Sequence, residues 1–124
     1  MENANFLVVE DSPTMRQLIS FSLKRFKNAK IIEAVDGVDA LKKLSGPDRI
    51  DLILTDINMP VMDGIEFIKN VRATGQHNSL PILILTTETS QDKRDQGKAA
   101  GGTGWIVKPF DPEKLISVIH RVVH

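Results

Sequence analysis

The sequence predicts an α/β domain in which five β-α units build a doubly wound, parallel, five-stranded sheet. Two observations carry this. Short apolar runs recur five times, and three of them are continuous rather than alternating, as strands covered on both faces are. Between the runs lie segments with helical spacing and legible caps. Right-handed crossovers then place helices on both faces of the sheet. At 124 residues the chain is expected to be one domain, residues 1–124, with no output domain.

The strands are read at Phe6-Leu-Val-Val, Lys30-Ile-Ile-Glu-Ala, Leu52-Ile-Leu, Pro81-Ile-Leu-Ile-Leu and Trp105-Ile-Val. Ser12-Pro13 supplies an N-cap and a first-turn proline, and Leu18, Ile19, Leu23 and Phe26 form the apolar stripe of the first helix. Ala40, Leu41 and Leu44 follow Asp36-Gly37 as the second. Asp63-Gly-Ile-Glu66 is a capping-box variant opening a third helix, with Ile65, Ile68 and Val71. Asp111-Pro112 opens the last, with Leu115, Val118, Ile119 and Val122. The fourth helix, about Ser90 to Ala100, offers little but two alanines to a core, so weak tertiary anchoring is expected; Gly101-Gly102 ends it.

Composition narrows the function. Sixteen basic and sixteen acidic residues cancel, which speaks against a sequence-independent grip on nucleic acid. No cysteine is present, excluding disulfides and thiolate-bound metal. No apolar run approaches the ~20 residues of a membrane span. The N-terminal MENANF lacks the regions of a secretion signal, so a cytoplasmic protein is expected.

In doubly wound sheets, ligands sit beyond the carboxyl ends of the strands. Those ends carry Glu10 and Asp11, then Asp56 and Asn58, then Thr86 and Thr87, then Lys108 and Pro109. Three carboxylates close together repel unless a cation lies between them. Hard oxygen ligands without His or Cys point to Mg²⁺. Asp56 could bind metal with one oxygen and attack phosphorus with the other, and the Asn58 carbonyl could complete the shell. Lys108 and Thr86 would then hold the transferred phosphoryl oxygens. Taken singly, Glu10-Asp11 reads equally as a helix cap, Asp56 as a turn residue, and Thr86 and Lys108 as strand-end residues; the combination carries the argument. His77 reads as a solvated loop residue. His120 and His124 have a metal-binding spacing with nothing else to complete a site, and the methionines read as packing residues. GGTG lacks the Lys-Ser/Thr of a phosphate loop.

The blocks LVVEDSPTMR, LTDINMPVMDG, ILILTTE and GWIVKPF, in that order, resemble the signature of response-regulator receiver domains, typified by CheY, from Phe6 to the last helix. The resemblance implies the flavodoxin-like strand order 2-1-3-4-5. It implies Asp56 as acceptor of a phosphoryl group from a sensor histidine kinase or phosphotransfer protein, with Asp11 as Mg²⁺ ligand and Glu10 assisting through water. Many relatives have Asp at the Glu10 position. By the same resemblance Asn58 lends its main-chain oxygen to the metal, and Lys108 pairs with the phosphoryl and precedes a proline often joined by a cis peptide. Thr86 is the switch hydroxyl, and Trp105 stands where a mobile Tyr or Phe is usual. An indole needs more room than a phenyl ring and its N–H wants a partner, which puts the inward rotation in question. Thr87, where relatives have Ala, narrows access. Asn58 and Glu88 match the pair found in members with short-lived phosphorylation, implying fast self-dephosphorylation.

The implied protein is a signalling switch whose only catalysis is its own phosphorylation and dephosphorylation. Its output surface is that of the fourth helix, fifth strand and fifth helix, read by a downstream protein. Direct nucleic-acid binding and membrane insertion are not expected, and the chain is monomeric or a weak phosphorylation-dependent dimer. Thr14, Met15 and Gln17 on the first helix are the expected kinase-docking surface. Three rivals fit less well. A flavodoxin-like carrier needs a phosphate loop after strand one, where EDSPTM stands. A haloacid-dehalogenase-type hydrolase needs Asp-x-Asp, where the chain has Asp56-Ile-Asn58. A scaffold without phosphorylation does not need an intact acidic cluster and lysine.

Overall fold

A computed structural model describes residues 2–123. It contains β1 (Asn5–Val9), α1 (Pro13–Leu23), β2 (Lys30–Ala34), α2 (Gly37–Leu44), β3 (Leu52–Thr55), α3 (Gly64–Ala73), β4 (Ile82–Thr86), α4 (Gln91–Ala100), β5 (Gly104–Val107) and α5 (Pro112–Val122). All strand pairs are parallel, in the order β2-β1-β3-β4-β5. The expected fold class and strand order are both present.

Phe6-Leu-Val-Val, Leu52-Ile-Leu and Ile82-Leu-Ile-Leu form the three interior strands, while the equally uninterrupted Trp105-Ile-Val lies at the edge. β3 and β4 are buried throughout and β1 from Phe6 on, whereas the edge strands β2 and β5 are mixed. Successive side chains serve opposite faces. Phe6, Val8, Leu52, Leu54, Leu83 and Leu85 join Ile19, Leu23, Leu115 and Ile119 in the core under α1 and α5. Leu7, Val9, Ile53, Ile82 and Ile84 join Ala40, Leu44, Phe67, Ile68 and Val71 in the core on the other face, where α2 and α3 pack.

The caps are those read from the sequence. Ser12 Oγ accepts from the Met15 amide at 3.3 Å, and the Asp36 and Asp63 carboxylates accept from Asp39 and Glu66 at 2.8 and 2.9 Å. Two details of the first stripe differ. Leu18 is 43% exposed, because the α1 face toward the sheet is centred on Ile19 and Leu23. Phe26 lies past the helix end, buried in the turn, with its ring centroid 5.5 Å from that of Phe6. α4 buries only Gly97 and ends on Gly101 in the left-handed conformation (φ 117°). Its far end is tied down by Arg72, whose Nε and Nη2 donate to the Gly101 carbonyl at 3.2 and 2.7 Å. No helix among the described residues is long and apolar enough to cross a membrane.

Candidate functional site

Asp56 follows the last residue of β3 and is 8% exposed. Its Oδ1 accepts from the backbone amides of Ile57 (2.6 Å) and Asn58 (3.2 Å), and its Oδ2 accepts from Lys108 Nζ at 3.0 Å. One oxygen is thus anchored by the chain, and the other faces a cation. The turn that follows needs a close backbone approach. The Gly64 amide donates to the Ile57 carbonyl at 2.8 Å, and a Cβ on Gly64 would collide with the Asp56 carbonyl oxygen. Between them, Val61 sits at φ 69°, a region β-branched residues rarely occupy, with its side chain 82% exposed.

Glu10 continues β1 and is 2% exposed. Its Oε1 accepts from Lys108 Nζ and its Oε2 from the Ser12 amide at 3.1 Å. Asp11 is exposed at the mouth. Glu10, Asp11 and Asp56 each present a carboxylate oxygen, all within 4.8 Å of one another. Three hard anionic oxygens at that separation suit a divalent cation such as Mg²⁺. Among the described residues no other group of three or more His, Cys, Asp or Glu side chains offers such a site; His124 lies outside those residues. Arg16 braces the loop, its Nη1 donating to the Glu10 carbonyl at 2.8 Å while its Nε lies 3.3 Å from a Glu33 carboxylate oxygen.

The Lys108 side chain is only 7% exposed. Burial alone would lower its pKa, but the hydrogen bonds it donates to Glu10 and Asp56 outweigh it, so the ammonium is held above its ordinary value. Burial has the opposite sign for Glu10 and is its largest influence. Its pKa is raised, with Lys108 and the Ser12 amide pulling it part-way back. Two buried carboxylates therefore share one buried cation. The Lys108–Pro109 peptide is cis, as the receiver pattern implied.

Thr86 ends β4, fully buried, and its Oγ1 accepts from the Glu88 amide at 3.2 Å. The Glu88 carboxylate accepts from the Ser90 amide at 3.1 Å, which lowers its pKa. Asn58 is exposed. Trp105, on β5, is half-buried against the core on the α2–α3 face, with the Arg94 guanidinium 5.7 Å from its ring centroid. The structure therefore gathers Glu10, Asp11, Asp56 and Lys108 tightly at one sheet edge, with Asn58, Thr86 and Glu88 on the adjoining strand ends. Trp105 enters β5 three residues before Lys108. Sequence reading missed Arg16, Gly64, Val61 and Arg72; only the Asp63-Gly64 pair left a signal, as the start of a helix cap.

The model of the response regulator receiver domain family matches residues 6–120. The chain belongs to that family. Among curated relatives it is 39% identical to a CheY homologue, a chemotaxis protein of Campylobacter jejuni, covering 94% of this chain and 90% of the relative. It is likewise 39% identical to the chemotaxis protein CheY1 of Helicobacter pylori, covering 88% of each. Among solved structures, the chemotaxis protein CheY4 of Vibrio cholerae superposes with a TM-score of 0.89 at 48% identity, covering 97% of this chain and 98% of the other. The receiver domain of a Pseudomonas aeruginosa sensor histidine kinase, with a magnesium ion coordinated in its active-site cleft, gives 0.85 at 29% identity, covering 95% of each. Receiver domains are signalling switches, and the acidic cluster described above lies where this receiver chain carries Asp56.

Proposed function

We propose that this receiver accepts a phosphoryl group on Asp56 and hands the signal to a protein partner in a chemotaxis-type two-component pathway. The observation that carries it is the Asp56 carboxylate, with one oxygen anchored by two amides and the other facing Lys108 beside two further carboxylates. The chemotaxis proteins among its relatives support the pathway class.

In the reaction, the free oxygen of Asp56 forms a bond to phosphorus as the N–P bond of a kinase phosphohistidine breaks. The imidazole leaves with the electron pair and takes up a proton. The Asp56 carboxylate cannot turn away, because the Ile57 and Asn58 amides hold it. Lys108 stands ready to pair with the incoming oxygens, which requires it to loosen from Glu10. Mg²⁺ held by Glu10, Asp11, Asp56 and the Asn58 carbonyl, the first through water, would neutralise the three carboxylates and the phosphoryl oxygens. The new group adds about −1.5 to −2 charge at Asp56. Thr86 then exchanges its bond from the Glu88 amide for one donated to the phosphoryl, and Trp105 and the α4-β5-α5 surface respond. Asn58 and Glu88 flank the mouth and govern the approach of water, so the aspartyl phosphate is short-lived; a Mg²⁺-dependent decay lasting hours would contradict this.

The test is incubation with acetyl phosphate and Mg²⁺ followed by intact mass. The expected result is the gain of one phosphoryl group by the native chain and none by Asp56→Asn. An equal gain in Asp56→Asn would overturn the assignment.

A further inference from the structure

Trp105 is the only tryptophan in the chain. It pairs in register with Ile84 and packs in the same core. An indole fits there because the α4 residue facing it is Gly97. A Cβ on Gly97 would lie 2.9 Å from Ile84 Cδ1 and 3.2 Å from Trp105 Cζ3, both tighter than ordinary contact. Mid-helix glycine weakens a helix relative to alanine, so local propensity opposes Gly97 and packing must favour it. It is also the only α4 residue that is buried.

The indole has a second peculiarity. Its Nε1 is buried and finds no hydrogen-bond partner among the described residues. The ring also walls a cleft of about 380 Å³, lined by Gln91, Arg94, Lys98 and Thr103. Two tendencies therefore oppose each other. Contact with Gly97 and the Arg94 guanidinium hold the ring in, whereas the unpaired N–H favours swinging out to water.

We propose that Gly97 is the positioning residue of this switch: its missing side chain is the seat that holds Trp105 inward, and that contact ties the ring's position to the position of α4. This rests on Trp105 being the moving aromatic of the phosphorylation switch. Displacing α4 closes or opens the seat, and the ring follows, gaining a partner for its N–H outside. The size problem an indole poses at this position is met on the helix opposite it.

The test uses the lone tryptophan as its own reporter, in the unphosphorylated full chain. Gly97→Ala is expected to shift the inward-to-outward ratio by about tenfold, the scale of a modest overpacking clash with the ring. Emission should move to the red and acrylamide quenching should rise. A stability cycle guards against a general packing defect. Gly97→Ala should be better tolerated in a Trp105→Ala background, where only helix propensity and the flexible Ile84 Cδ1 act on it, than with Trp105 present. Unchanged quenching, or an additive cycle, would overturn the proposal. With acetyl phosphate and Mg²⁺, Gly97→Ala should still gain a phosphoryl by mass while losing the fluorescence response of the native chain. If the native chain gains no phosphoryl, the phosphoacceptor reading fails while the quenching and cycle results still decide the role of Gly97.

Discussion

At Glu10, burial raises the pKa while Lys108 and the Ser12 amide partly restrain it. In the unfolded chain the group ionises at its ordinary value near 4.5, and in the fold at a higher pH. Between those values the folded state holds a proton that the unfolded state has lost, so stability falls as pH rises across the window. Glu10→Gln should remove that slope, read as urea midpoints from pH 4.5 upward; parallel curves for the two chains would refute it. Gly64 sets a different constraint, since any side chain there strikes the Asp56 carbonyl and comes within 2.7 Å of Ile57 Cα. Gly64→Ala should cost about 3 kcal/mol by forced backbone displacement, measured by denaturant unfolding. It should also slow phosphorylation by misplacing Asp56. Such residues were hard to read in the sequence. Asp56 and Lys108 could be listed because strand ends are legible, but their mutual bond crosses 52 positions. Gly64 was legible only as part of the Asp63-Gly-Ile-Glu66 cap, because its constraint comes from the Asp56-Ile57 segment folded over it.

At the scale of elements, the caps were the most legible features, because Ser12, Asp36, Asp63 and Asp111 act on amides two or three residues away. Continuous apolar runs mark the interior strands for a different reason, since both faces of β1, β3 and β4 meet a core, although edge strand β5 reads the same way. Helix phase was harder. Leu18 reads as part of a stripe, but α1 is rotated so that Ile19 and Leu23 face the sheet and Leu18 and Phe21 face outward. α4 was legible as weakly anchored from SQDKRDQGKAA, but not where it is held. Arg72 ties its C-terminal end to α3 through the Gly101 carbonyl, whereas the Ser90 end is bonded to Glu88, whose amide in turn donates to Thr86 at the site. Hydrogen exchange should show α4 amides exchanging about 100-fold or more faster than those of β3. Within α4, Arg72→Gln should speed the Gly101 end most. Equal protection of α4 and β3 would contradict this picture of a movable helix.

Over the whole molecule, one sheet edge collects carboxylates from β1 and β3, a hydroxyl from β4 and an ammonium from β5, because parallel strands all end on the same side. The packed sheet fixes their positions, and α4 buries the fewest residues of the five helices, so in the proposed switch it is the element that would respond. The topology was legible from alternation of strands and capped helices, and the site from what lay at the strand ends. The sequence did not reveal how Lys108 is shared between Glu10 and Asp56, which depends on a Glu side chain reaching across the edge. The same sharing predicts that charge arriving at Asp56 redistributes Lys108 rather than creating a new ion pair from solvent. The proposed switch depends above all on the phosphoryl entering on Asp56 itself. Its most direct test is to phosphorylate the native chain with acetyl phosphate and Mg²⁺, convert the acyl phosphate with hydroxylamine, and locate the hydroxamate by peptide mass spectrometry. The native chain should yield one hydroxamate, at Asp56; a modification at Asp11 or Glu10, or no acyl phosphate at all, would contradict phosphoryl entry on Asp56.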